Sequence, residues 1–151
     1  MKKFNHVGTT LTELTTENID GKRHYVTPNG SYISITTLLA NLSKDGIQKW
    51  RNRVGAEEAN KVSGKASRRG TRLHSVCESY IQNDDGFLTE ELPHIVELFK
   101  TIEPFLERID NVHGVELGLY SDHFGVAGRT DLIAEFDGKL SVIDYKTSNR
   151  T

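Results

Sequence analysis

In the stretch SVIDYKTS, Asp144 and Lys146 stand two positions apart in a segment that otherwise reads as an apolar strand. Upstream, VAGRTDLIAEF carries Asp131, and Asp137-Gly138 between the two segments is a strong signal for a two-residue hairpin loop. That loop fixes a register: Phe136 faces Lys139, Ile133 faces Val142, Asp131 faces Asp144 and Arg129 faces Lys146. Side-chain alternation then puts Arg129, Asp131, Ile133, Leu140, Val142, Asp144 and Lys146 on one face, and Leu132, Ala134, Ile143 and Tyr145 on the other. Both faces are apolar in their middle part, which predicts a sheet covered on both sides. Directly opposed residues have Cβ atoms about 4.5–5.5 Å apart, and like charges at that distance repel. Two such carboxylates need a shared proton or a cation between them. Mg²⁺ commonly takes one or two carboxylates together with water and a substrate phosphate. Lys146, one pleat along, is placed to hold a water or to stabilise charge beside that cation. The plainer alternative is a charged hairpin at a sheet edge, with Asp131 bridged by Arg129 or Lys146. Two facing aspartates and a lysine on an otherwise apolar hairpin favour the metal site.

The remaining elements must position this hairpin. RHYVTPNGSYISITTLL reads as two short strands around a Pro-Asn-Gly turn, with Thr36 or Thr37 capping a helix through Leu38, Leu39 and Leu42. Residues 44–69 read as helical with breaks at Gly46, Gly55 and Gly64. In RGTRLHSVCESYIQN, Leu73, Val76, Cys77, Tyr80 and Ile81 follow the spacing of an amphipathic helix, with His74 at the edge of the apolar stripe. NDDGFLTEEL is predicted as a loop whose Asp85 or Thr89 caps a second helix. Leu92, Ile95, Val96, Phe99 and Ile102 form one face of that helix, and Pro104 should kink or end it. From Val112 the period changes to two, giving GVELGLY, the turn SDHFG and the two hairpin strands. Helices followed by a strand meander place the chain in the α/β or α+β class. We expect one domain over 1–151, with N-terminal strands and a helix start in 1–43, helices in 44–111 and a catalytic meander in 112–151.

Charge is unevenly spread over the 151 residues, although the net charge is only −2. Lys44 to Arg72 holds nine Lys/Arg against three Asp/Glu, whereas Leu73 to Thr151 holds six against fifteen. A basic stretch beside an acidic half suggests a surface for a polyanion next to a site for cations. Lys49, Trp50, Arg51, Arg53, Lys65, Arg68, Arg69 and Arg72 are the candidate nucleic-acid contacts. Trp50 among cations can stack on a base, and a lone Trp also commonly packs a helix. One cysteine, Cys77, rules out an internal disulfide and fits a reducing compartment. The N-terminus lacks the apolar core of a signal peptide, and no run is long enough to span a bilayer. A cytoplasmic protein (host cytoplasm if phage-encoded) without a membrane partner is expected. SGKAS fails as a phosphate loop, since Ala59 stands where its first Gly belongs and no Ser/Thr follows the Lys directly. There is no cysteine cluster for zinc.

Asp131, then a short hairpin, then Asp144-Tyr145-Lys146, resembles the core signature of the PD-(D/E)XK nuclease superfamily. RGTRLHSVCESYI resembles the His-bearing helix of its RecB-like branch. YVTPNGSYISITTLLANLSKDGIQKWRNRVG and HGVELGLYSDHFGVAGRTDLIAEFDGKLSVIDYKTS look like the corresponding regions of phage exonucleases related to the mitochondrial genome maintenance exonuclease. The likeness runs from about Tyr25 to Ser148. It implies a restriction-endonuclease-like α/β fold, a mixed central sheet flanked by helices. It also implies a divalent-metal-dependent DNA nuclease, a phage-type exonuclease on single strands or DNA ends. His74, Asp131 and Asp144 would ligate Mg²⁺ or Mn²⁺, with the backbone carbonyl of Tyr145 as a further ligand. Lys146 would position the attacking water, and Glu116 would match an accessory acidic position. Members of this group usually continue past the Asp-x-Lys strand with a Gln/Tyr helix and more strands. The resemblance therefore leads us to expect a sheet incomplete at the C-terminus. It also leads to an alternative: the N-terminal portion of a split nuclease that needs a complementary C-terminal chain or a homo-oligomer.

Overall fold

The structure, a computed structural model, describes residues 1–148. The last three residues of the expected catalytic meander lie outside the described residues. The sheet has six strands, β1 (Thr16–Ile19), β2 (Lys22–Thr27), β3 (Gly30–Ser34), β4 (Ile109–Ser121), β5 (Val126–Phe136) and β6 (Lys139–Ile143), in the order β1-β2-β3-β5-β4, with β6 also paired to β5. The β3–β5 pairing is parallel and the β1–β2, β2–β3 and β5–β6 pairings are antiparallel, so the sheet is mixed, as the fold class predicts. The chain forms two compact units interleaved along the sequence. One comprises Met1–Thr9, Lys61–Val115 and Asp131–Thr151, the other Thr10–Asn60 and Glu116–Thr130.

In the second unit, β1 (Thr16–Ile19), β2 (Lys22–Thr27) and β3 (Gly30–Ser34) form a meander. Asp20 and Gly21, both at positive φ, supply the two-residue turn between β1 and β2. The first part of β5 (Val126–Phe136) lies parallel to β3, with Ile33 opposite Val126. Gly128 has a packing reason: a Cβ there would stand 2.7 Å from Ile35 Cγ2. Helix α1 runs Ile35–Val54 from Ser34, not from a Thr cap, and Ser34 is buried with its hydroxyl 2.8 Å from that of Thr36. Gly46 lies inside α1 and does not break it; Gly55, at φ 87°, ends it. One helical glycine costs only about 1 kcal/mol relative to Ala, which a long helix absorbs. No residue of α1 is buried, and Leu39, Leu42 and Ile47 are exposed.

Helix α2 (Ala56–Ile81) passes uninterrupted through Gly64, the other predicted break that does not form, and carries most of its length in the first unit. There the stripe read from the sequence is the core: Leu73, Val76, Cys77, Tyr80 and Ile81 are buried. Helix α3 (Pro93–Leu106) adds Ile95, Phe99 and Leu106. It begins at Leu92 without a side-chain cap, so neither Asp85 nor Thr89 has that role, and it continues two residues beyond Pro104. Asp84 instead closes the preceding turn by accepting the Gly86 N–H. Tyr80 anchors an aromatic cluster, with ring centroids 4.9–5.3 Å from those of Phe87, Phe99 and Phe4. Burying each aliphatic side chain of this kind stabilises the fold by roughly 1.5–3 kcal/mol. Strand β4 (Ile109–Ser121) supplies Ile109 and Val112 to this core, and the second part of β5 supplies Leu132 and Ala134.

The last hairpin has the predicted register. β6 (Lys139–Ile143) pairs Phe136 with Lys139, Ile133 with Val142 and Leu132 with Ile143. Asp137 (φ 50°) and Gly138 (φ 74°) form the loop. The ladder stops at Ile143, so the expected pairs Asp131–Asp144 and Arg129–Lys146 do not form as ladder pairs. The expectation of cover on both faces fails at β6, where Leu140 and Val142 are 68% and 65% exposed, although Ile133 on the same face of β5 is buried; on the other face Leu132 and Ala134 are fully buried.

Candidate active site

The reason the ladder stops is at the site itself. Asp131, the next residue along β5, accepts the Tyr145 N–H through Oδ2 at 2.7 Å. A side-chain acceptor thus takes the donor that a strand partner would otherwise satisfy. The other oxygen, Oδ1, lies 3.0 Å from His74 Nε2. His74 stands where helical spacing puts it, at the margin of the α2 stripe, and its ring meets the edge of the buried Tyr145 ring at 5.6 Å. Three elements of the first unit therefore fix one carboxylate: β5 carries it, α2 brings the imidazole and the segment after β6 brings a backbone N–H.

Gly70, Thr71, His74, Asp131, Tyr145, Lys146 and Thr147 line a cleft of about 350 Å³. Asp131 and His74 keep 15% and 29% of their side-chain surface accessible, so both can reach a ligand there. Lys146 is far more exposed; its Nζ lies 2.9 Å from Asp144 Oδ2 and 3.1 Å from Oδ1. That hydrogen bond raises the Lys146 pKa above its ordinary value, and the charges of Asp144 and Asp131 add to the rise. Lys146, a cation at neutral pH like any unperturbed lysine, is thereby held more firmly in that state, suited to donating hydrogen bonds and balancing negative charge rather than to accepting a proton. The field of Asp131 reaches Cys77 too, whose thiol is pushed up to about 12, chiefly by burial, and is inert as a nucleophile.

The donor set fits a hard divalent cation. Adjacent ligands of an octahedral ion with bonds of about 2.1 Å lie roughly 3 Å apart, and the His74 nitrogen and Asp131 oxygen already have that separation. Asp144 is two residues from Lys146 and turned toward it, and does not line the cleft. Thr71 and Thr147 line it without having been picked out from the sequence. Thr71 was findable, since three residues before His74 is the same helix face; Thr147 carries no such signal.

The other candidates divide between the two units. Glu116 lies on β4 in the second unit, at φ 54°, with Oε2 4.0 Å from Arg129 Nη1. Arg129 also lies 3.9 Å from Glu13. Lys49, Trp50, Arg51 and Arg53 are on α1; Trp50 is half-buried, and Arg51 donates to Asn60 at 2.7 Å. Lys65, Arg68, Arg69 and Arg72 are on α2 in the first unit.

The profile of the PD-(D/E)XK nuclease superfamily matches residues 48–151, about two thirds of the chain and all of the His74–Asp131–Lys146 constellation. Nucleases of this superfamily generally use divalent metal ions. Over 110 residues, 69% of this chain, the sequence is 24% identical to mitochondrial genome maintenance exonuclease 1 of Homo sapiens. Over 108 residues it is 24% identical to the protein of the same name from Mus musculus. The match spans about a third of the length of these relatives, 32% in each case.

Proposed function

Because the chain belongs to the PD-(D/E)XK nuclease superfamily, we propose that it hydrolyses phosphodiester bonds in DNA with the help of Mg²⁺ or Mn²⁺, as an exonuclease of phage type on single strands or ends. The observation that carries the proposal is the convergence of His74, Asp131, Tyr145 and Lys146 on one cleft. His74 and Asp131, which line the cleft, would hold the ion, with Asp144 and the Tyr145 carbonyl assigned as further ligands on the resemblance alone; the ion would supply Lewis-acid charge at the phosphoryl oxygen and lower the pKa of water. Asp131 is held rigid by the Tyr145 N–H and the His74 ring, so little reorganisation is needed during reaction. Lys146, protonated at neutral pH and hydrogen-bonded to Asp144, orients a water and meets the negative charge that grows on the phosphoryl group. Water oxygen bonds to phosphorus as the ester P–O bond breaks, leaving a phosphate monoester and a hydroxyl. Glu116 is assigned an accessory acidic role on the resemblance.

The test is cleavage of end-labelled single-stranded DNA with Mg²⁺ or Mn²⁺ by the wild type, Lys146→Ala and Asp131→Asn. Removing one donor that acts on transition-state charge costs about 10²–10³-fold in rate, and both variants should lose at least that. Cleavage surviving in both would remove the assignment. A second reading, in which a complementary chain or a second copy completes the enzyme, is favoured by the exposed Leu140 and Val142 on β6. Under that reading the isolated chain does not cut and a second polypeptide restores cleavage. Robust activity of the chain as a monomer would eliminate it.

A further inference from the structure

Within the first unit, α2 and the start of α3 enclose a cleft of about 500 Å³. One wall is cationic, formed by Lys65, Arg68, Arg69 and Arg72 from α2. The other is formed by Leu92, His94 and the buried Ile95. Glu91 pairs with Arg72 at 3.0 Å, and no acidic residue lines the cleft itself among the described residues. Arginine is charged at any accessible pH, and its planar fork matches phosphate oxygens.

The position of this cleft on the helix matters. At about 100° per residue, Arg68, Arg72, Lys65 and Arg69 lie roughly 120–220° round α2 from His74. The cationic cleft and the His74 cleft therefore open on opposite sides of the same helix. They are offset along its axis by about 3 Å for Arg72 and about 13 Å for Lys65. These cations are thus not placed to contact a phosphate that is reacting beside His74.

We propose that this cleft binds a phosphate group of a single-stranded polynucleotide, at a subsite on the far side of α2 from His74. The inference rests on the nuclease reading for the identity of the polynucleotide. A strand engaging both clefts must pass round the helix, so only substrates of several nucleotides reach both. The binding energy gained there is remote from the reacting bond and holds long substrates in preference to short ones.

Fluorescence anisotropy in EDTA, where nothing is cut, separates this inference from the nuclease reading. Labelled oligothymidylates of 6 and 20 nucleotides and inorganic phosphate are the probes. The variants are Lys65→Ala/Arg68→Ala and, as a charge-conserving control, Lys65→Arg. Both side chains are exposed, and circular dichroism confirms folding. The wild type should bind the 20-mer at least 10-fold more tightly than the 6-mer. The double variant should lose most of that preference. Its log–log salt slope for the 20-mer should fall by about 1.4, at about 0.7 per single-strand phosphate contact, and Lys65→Arg should behave as wild type. An unchanged length preference in the double variant overturns the subsite. Inorganic phosphate binding as tightly as the 20-mer also overturns it, in favour of a site for free phosphate. A protein that shows the length preference but cuts nothing with Mg²⁺ or Mn²⁺ retains the subsite and loses the nuclease reading.

Discussion

Asp144 and Lys146 show how one hydrogen bond reinforces a protonation state. The lysine pKa is raised, first by its bond to Asp144. A base with a raised folded pKa contributes stability that is present below its unfolded value, near 10.4, and is lost as pH rises through the folded value. The pair therefore acts at full strength through the neutral range. Asp144→Asn should bring the Lys146 pKa down toward 10.4, read by NMR titration of the Nζ resonance. Stability at pH 7 should change by less than about 1 kcal/mol, because exposed pairs contribute little. An unmoved lysine would show that Asp144 is not the cause. Glu116 presents a different residue-scale case, a non-glycine strand residue at φ 54°. Backbone held in that region costs on the order of 1–3 kcal/mol and persists where the surrounding structure enforces it. Glu116→Gly should raise the urea midpoint by the equivalent of about 0.5–1 kcal/mol while lowering DNA cleavage. A drop in stability would remove the strain argument.

At the scale of elements, the hairpin is the part most legible in the sequence, because its turn chemistry is local. Asp137 and Gly138 both adopt positive φ, which an Asp-Gly loop allows, and the two-residue loop fixes every ladder pair through Leu132–Ile143. Gly138→Val should destabilise the protein by about 1–2 kcal/mol, the cost of a left-handed conformation for a residue with a Cβ, measured by chemical denaturation. A neutral result would mean that the loop tolerates another turn type and that the register has a second anchor. Arg108 is that candidate anchor, since it donates to the Asp137 carboxylate from Nε at 3.0 Å. The α2 stripe was equally legible, since 3.6-residue spacing reports burial directly. What escaped was non-local. Asp131 meets His74 and the Tyr145 N–H only once α2, β5 and the segment after β6 have packed, so nothing in the Asp-x-Lys spacing could show that the ladder yields to a side-chain acceptor. Gly46 and Gly64 were misread for the converse reason: local propensity suggested breaks that helices of 20 and 26 residues absorb.

At the scale of the molecule, the uncovered face of β6 is where the whole departs most from its parts. Alternation puts Leu140 and Val142 on one face of a strand whose one partner among the described residues is β5. The apolar middle of that face led to the expectation of cover, yet both residues are about two-thirds exposed. Sheets normally guard such edges with charge, a bulge or an overlying element, because an apolar edge templates further pairing. Lys139 supplies a charge at the start of the strand, but Leu140 and Val142 remain open to a neighbour. The combined Leu140→Lys/Val142→Lys variant should keep its unfolding free energy within about 0.5 kcal/mol per site, as expected for exposed positions. It should also self-associate less than the wild type, measured by sedimentation velocity across a concentration series. If association through this face builds the active enzyme, cleavage should fall in the same variant at concentrations where the wild type is associated. Equal association in both proteins would place any oligomer contact elsewhere on the molecule. A large loss of stability would show that the two side chains pack against protein that the accessible surface does not reveal.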